Sequence, residues 1–304
     1  MIAGRNMLDE HRVAKPTGMP MHVRSRFAVQ GWVAGILCQV LLLLHQAPAW
    51  AATLTLEEGP NRITYETAAL LARSDATEIE IPADIAYQRA RRYRAVPLAA
   101  VLSVLPAPPG SKLEAVATDG FAAQIPLALA TQTQSSVARA WLAVEPADAP
   151  WPPLPGKKVS AGPFYIVWEH PEASRISSEY WPYQLAALRY VPAPARRWPQ
   201  ITVDPTLPDN HPARAGQAVF EAICLACHRM NGGGSSEMGP DLNRPMNPTE
   251  YFQLPALHRY IRDPASVRTW PDQKMPGFGP DRLSEAELDA VIVVLEHMAA
   301  QRSR

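Results

Sequence analysis

The stretch from Val191 to Pro212, VPAPARRWPQITVDPTLPDNHP, holds six prolines. Proline fixes φ and lacks a backbone donor, so neither a long helix nor a central strand can run through such a segment. The chain is therefore expected to divide here, into a first domain over 52–195, a linker over 196–212 and a second domain over 213–304. Its 304 residues suffice for two domains of ordinary size. Prolines total 32 and fall mainly after residue 80, which favours many short elements over long helices.

Charge excludes some classes of function. Lys and Arg number 29 against 29 Asp and Glu, and hydrophobic residues make up 47%. Neither a disordered chain nor a nucleic-acid binder has that balance.

The first residues read as an export signal. Arg24 and Arg26 precede the apolar run GWVAGILCQVLLLL, and Ala49 and Ala51 in APAWAA stand at the small-residue positions of a cleavage site. Residues 1–51 are thus expected to be a signal peptide cleaved after Ala51, with translation starting at Met19 or Met21. The alternative is an uncleaved anchor beginning near Phe27, the one case in which a membrane would be a partner. The run is short for that, because a spanning helix needs about 20 apolar residues. Cys38 lies inside it behind Leu37, where a lipoprotein signal wants a small residue. Export predicts the periplasm, where Cys224 and Cys227 are the cysteines that remain.

Residues 52–195 read as α+β. Short strands are predicted at Thr77 to Pro82, over KLEAVAT and FAAQIP around Asp119-Gly120, and at Ala138 to Glu145, Gly162 to Trp168 and Tyr183 to Val191. Asp119-Gly120 predicts a tight hairpin with both central residues at positive φ. Helices are predicted over Ile63 to Ser74 and over Val96 to Leu105, with Pro97 in the first turn. Residues 213–304 read instead as a small all-α domain. In its first helix Gly216, Phe220 and Cys224 recur every four residues and share a face. A second helix is expected over Pro255 to Asp263. The last carries a Ser284/Glu287 capping box and an apolar stripe of Leu288, Val291, Ile292, Leu295 and Met298.

The string Cys224-Leu225-Ala226-Cys227-His228 admits three chemistries. A thioredoxin-like dithiol wants a βαβ context, whereas this motif ends a helix and a glycine-rich loop follows. A zinc site needs two further ligands, and His228 with His258 would have to serve although His228 adjoins Cys227. A covalent haem uses both thiols on the porphyrin vinyls and the adjoining imidazole as an axial ligand. That reading requires a second ligand far along the chain. Met230 and Met238 are close to His228 in sequence, Met298 sits on the apolar stripe, and Met246 has no helix between itself and the motif. Met275, in WPDQKMPGFG, follows a helix and precedes Pro276-Gly277, and is the expected distal ligand.

Together these residues resemble class I c-type cytochromes, over essentially all of 213–300. The resemblance implies one haem c, bound covalently through Cys224 and Cys227, with His228 and Met275 as axial iron ligands. It implies that the carbonyl of Pro240 accepts the His228 ring proton, that Leu295 lies where the last helix crosses the first, and that the task is one-electron transfer. Trp270 is expected either to donate its indole proton to a haem propionate or to cover the haem as an aromatic lid.

The first domain carries a second resemblance. Tyr93 to Leu102, Thr118 to Leu127, Gly162 to Trp168 and the Trp181 region are similar to the pterin-binding domain of sulfite oxidase-type molybdenum enzymes. That family holds its metal through a cysteine thiolate, and no cysteine lies between Ala52 and Glu221. The domain is thus expected to be non-catalytic and to dock a redox partner protein, such as a periplasmic dehydrogenase or a respiratory-chain component. The basic run Arg89, Arg91, Arg92 and Arg94 reads as a solvated strand face, and His170 as a surface residue. The leading expectation is a periplasmic electron carrier rather than an enzyme. The alternatives are an oxidoreductase whose first domain binds a pterin or other ligand and feeds the haem, and a haem gas sensor.

Overall fold

The computed structural model describes residues 52–271 and 273–302. The expected signal segment, with Met19, Met21 and Cys38, lies outside the described residues.

The first region folds into two sheets. Its strands are β1 (Thr53–Glu58), β2 (Asn61–Glu66), β3 (Thr77–Asp84), β4 (Arg89–Pro97), β5 (Ser111–Ala117), β6 (Ala122–Pro126), β7 (Arg139–Val144), β8 (Phe164–Glu169) and β9 (Leu185–Pro192). One sheet has the order β2-β1-β9-β5-β6 and the other β3-β4-β7-β8. β1 and β9 run parallel, and the other pairs are antiparallel. β3 alternates, burying Ile79 and Ile81 while Glu78 and Glu80 face water. In β8, by contrast, Phe164 to Trp168 are all buried, as expected of a strand covered on both faces. The basic run lies on β4, whose Arg92 pairs with Glu80 at 3.0 Å across the strand pair. His170 is exposed at positive φ.

Three local expectations change. The helix predicted over Ile63 to Ser74 shrinks to α1 (Thr67–Leu71), because Ile63 and Tyr65 pair with Leu56 and Leu54 in β1. The helix predicted from Val96 starts only at α2 (Leu98–Leu102), since Val96 and Pro97 are still paired with β7. β5 and β6 do form a hairpin, but Thr118–Phe121 connects them and only Gly120 of the Asp119-Gly120 pair takes positive φ, at 90°. Asp119 instead accepts the Phe121 N–H at 3.2 Å, a side-chain turn that spares it the left-handed conformation. α3 (Leu127–Ala130) follows β6.

The remaining helices are α4 (Pro194–Arg197), α5 (Pro212–Val219), α6 (Pro248–Tyr251), α7 (Leu254–Arg262) and α8 (Glu285–Gln301). Ser284 and Glu287 form the capping box of α8. α5 and α8 cross at Gly216, where a Cβ would collide with the Ala290 carbonyl and press on Val294. The close crossing thus falls at Ala290 and Val294, beside Leu295. A second core gathers Phe220, Leu257, Leu288, Val291 and Met298.

The proline-rich stretch does not run free. Ile201 and Val203 are each 1% exposed and belong to the helical core. The Val203 N–H donates to Gln217 at 2.9 Å, and that of Asp204 to His297 at 3.1 Å. The prolines here end elements without loosening the chain, and both regions lie in one compact unit. Their junction is polar as well as packed. Buried Glu114 of β5 pairs with Arg197 at 2.7 Å and accepts from Gln124 and Ser235. Ser236 donates to the Gly120 carbonyl at 2.8 Å, and the Ala122 N–H to the Ala226 carbonyl at 3.0 Å. Among the described residues no helix is long and apolar enough to cross a membrane.

Candidate functional site

A cavity of about 840 Å³ opens in the helical region, a volume in the range of cofactor pockets. Cys224, Cys227, His228, Pro240, Trp270 and Met275 all line it. The first wall is built by α5, which continues into one turn of π-helix over Phe220–Cys224. The Cys227 and His228 N–H groups then both donate to the Cys224 carbonyl, at 3.1 and 2.9 Å. This tight turn brings two thiols and an imidazole to one wall. Such single π turns recur at functional sites because they re-aim side chains without ending the helix.

The His228 ring is held from behind. Its Nδ1 donates to the Pro240 carbonyl at 2.9 Å, which selects the tautomer with Nε2 free to ligate. Gly239 precedes that carbonyl, and a Cβ there would strike the imidazole. Burial pushes the His228 pKa down, against the Pro240 bond and Asp241, which raise it. The neutral ring is the ligating form.

No disulfide joins Cys224 and Cys227. Burial pushes each up to about 12, with the Glu179 carboxylate adding to the effect. A redox-active dithiol requires the opposite shift, so this environment does not favour the thioredoxin-like reading. The zinc reading fares no better, because His258 does not line the cavity of the two cysteines and lies with Asp289 in a separate pocket. Among the described residues no group of three or more His, Cys, Asp and Glu is placed to hold a metal.

Met275 comes from the loop between α7 and α8. That loop is tied back by the Phe278 N–H, which donates to the Ile261 carbonyl at 3.1 Å. Gly277 lets it press on the Arg262 carbonyl, where a Cβ would not fit. Trp270 lines the cavity while 39% exposed, and the Arg268 guanidinium lies 5.6 Å above its ring. Of the other methionines, Met230 and Met298 are buried in the core and Met246 is exposed. Met238 does line the cavity, which its short distance from His228 in sequence did not suggest. It adjoins Gly239, on the loop that abuts the His228 ring.

Leu242, Phe252, Leu257, Ile261, Val291 and Leu295 make most of the remaining wall apolar. Two thiols and an imidazole on one side, with a thioether on the same apolar cavity, fit an iron porphyrin bonded through its vinyl groups. Sequence reasoning missed Glu179, Tyr251, Arg268 and Lys274, which also line the cavity. Arg268 and Lys274 flank Trp270 in sequence and could have been found from that; Glu179 had no such signal.

Residues 213–298 match the family model described as Cytochrome c. The match supports reading this part of the chain as a c-type cytochrome segment. It covers α5 through most of α8 and none of the strands. A cytochrome c segment implies covalently bound haem c and points to electron transfer. No curated protein sequence matches the chain.

Proposed function

We propose that the chain is a periplasmic mono-haem c-type cytochrome that transfers single electrons and docks its redox partner through the strand-rich domain. The observation that carries this reading is the gathering of Cys224, Cys227, His228 and Met275 on one apolar cavity, with His228 oriented by Pro240. Cys224 and Cys227 would hold the haem as thioethers, and His228 and Met275 would ligate its iron. Haem c held this way supplies one iron that takes up and releases one electron. With His228 and Met275 both on the iron, it would have no open position for oxygen, and a methionine ligand would favour the ferrous state. The apolar wall would exclude water, and Trp270 at the rim would either donate its indole N–H to a propionate or cover the haem as a lid.

The single Cys-x-x-Cys-His string supports one haem, and the export signature over 1–51 supports the periplasm. The strand-rich domain, similar in sequence to the pterin-binding domain of sulfite oxidase-type enzymes, has no cysteine to hold molybdenum. It serves the partner, a periplasmic dehydrogenase or a respiratory-chain component, rather than catalysis.

Expression with haem c maturation, followed by a pyridine haemochrome spectrum and iron and molybdenum analysis, tests the proposal. One acid-stable haem per chain and no molybdenum are expected. Haem that extracts from the wild type into acid acetone, or haem in the C224S/C227S variant that resists such extraction, overturns covalent attachment through these cysteines. Stoichiometric molybdenum overturns the non-catalytic role.

A further inference from the structure

Glu179 belongs to the strand-rich region, in the short turn Ser178–Tyr180, yet it lines a cavity whose other walls come from residues 223–295. It is 8% exposed and is the one acidic residue among the described lining residues. The turn that carries it is pinned from both sides. The Trp168 indole donates to the Tyr180 carbonyl at 2.7 Å, and the Ser177 hydroxyl accepts the Glu179 N–H at 3.2 Å. One carboxylate oxygen accepts from Arg282 at 2.8 Å and from Ser178 at 3.0 Å. Arg282 does not line the cavity; its guanidinium stacks 4.9 Å from the Phe278 ring and donates to the Gly277 carbonyl at 3.2 Å.

With Glu179 buried and Arg282 partly exposed, this ion pair is a poor source of stability, because desolvation of the carboxylate offsets much of the attraction. What the pair does provide is a negative group on the cavity wall whose positive partner, Arg282, is not on that wall; the cations that do line it are Arg268 and Lys274. Ferric haem carries one more positive charge than ferrous haem, and in a medium of low dielectric a fixed carboxylate favours the more positive state.

We propose that Glu179 is a redox-tuning residue of the cytochrome segment, supplied by the strand-rich region and lowering the haem potential through its charge. It is a positioning residue in the electrostatic sense: it ligates nothing, and reduction adds one electron without making or breaking a bond to it. The strand-rich region is then part of the redox centre itself. This inference rests on the haem reading above.

Spectroelectrochemical titration of the full-length haem-loaded chain tests it. In E179Q the ferrous-to-ferric ratio at a fixed ambient potential should rise about tenfold, which is 59 mV for a one-electron couple. E179D should return most of the wild-type value. Because E179Q leaves Arg282 without its carboxylate, the double variant E179Q/R282M removes the pair together, and a smaller shift in the same direction is expected. An unchanged potential in both E179Q and the double variant overturns the proposal. So does a shift accompanied by loss of the methionine-to-iron charge-transfer band, since the cause would then be altered ligation. A wild-type chain without covalent haem would instead sink the haem reading, which the haemochrome spectrum reports separately.

Discussion

Nδ1 of His228 lies 2.9 Å from the carbonyl oxygen of Pro240, and Gly239 sits against the same ring. The bond and the steric wall together fix one ring orientation. G239A should displace the imidazole, costing about 1–3 kcal/mol as an overpacking change and altering the Soret band. P240A keeps the carbonyl and should leave the spectrum near wild type. Visible spectra and guanidinium denaturation of both variants check this, and a wild-type G239A would show that the ring is not confined there.

Met275 and Met238 both line the cavity, so the distal ligand can be assigned by substitution. M275A should abolish the methionine-to-iron charge-transfer band and lower the potential, because a methionine ligand raises it. M238L should retain the band. The opposite pattern would move the ligand to Met238.

Gly216 allows α5 to touch α8 at the Ala290 carbonyl. A backbone carbonyl in a helix cannot move aside as a flexible side chain can, so G216V should destabilise the chain by about 3 kcal/mol, at the upper end for overpacking. Chemical denaturation monitored by far-UV circular dichroism measures the loss. A change below about 0.5 kcal/mol, the scale of an ordinary surface substitution, would mean that the helices separate without penalty.

Asp84 is buried at the end of β3 and accepts from Tyr93 at 2.8 Å, from Tyr165 at 3.3 Å and from the Tyr87 and Ala86 N–H groups. Burial nevertheless dominates and pushes its carboxyl above the usual value of 3.8. The folded state therefore keeps this proton to higher pH than the unfolded chain. Its contribution to stability is full below the ordinary aspartate range and is lost as pH rises through the folded value. Relative to wild type, D84N should gain stability as pH rises from the ordinary aspartate range toward neutrality, whatever constant offset the amide brings. Urea midpoints for both proteins across that range test the sign, and a difference that stays flat or falls would contradict it.

Much of the helical segment could be read along the chain because its signals are local. Cys224, Cys227 and His228 lie within one helical turn, Gly216 and Phe220 repeat on the same face, and Ser284 with Glu287 marks a helix start by hydrogen bonds three residues apart. Where the reading went astray, a distant partner overrode a local preference. Ile63 and Tyr65 sit in a helical-looking run, but β1 offers them a ladder. Val96 and Pro97 look like a helix start, yet β7 keeps both in a strand. In the proline-rich stretch, Ile201 and Val203 also enter the helical core, which its composition did not announce.

By itself, then, the sequence determined which groups stand together: two thiols beside an imidazole, a strand-rich region before them and a helical one around them. Only the tertiary structure decided which residues from elsewhere share that cavity. Glu179 reaches it because the strands beneath its turn are paired and the junction around Glu114, Gly120 and Ala226 closes over the cysteine-bearing turn. Such contacts arise from the packing of whole elements rather than from neighbouring residues, so no spacing or periodicity along the chain announces them.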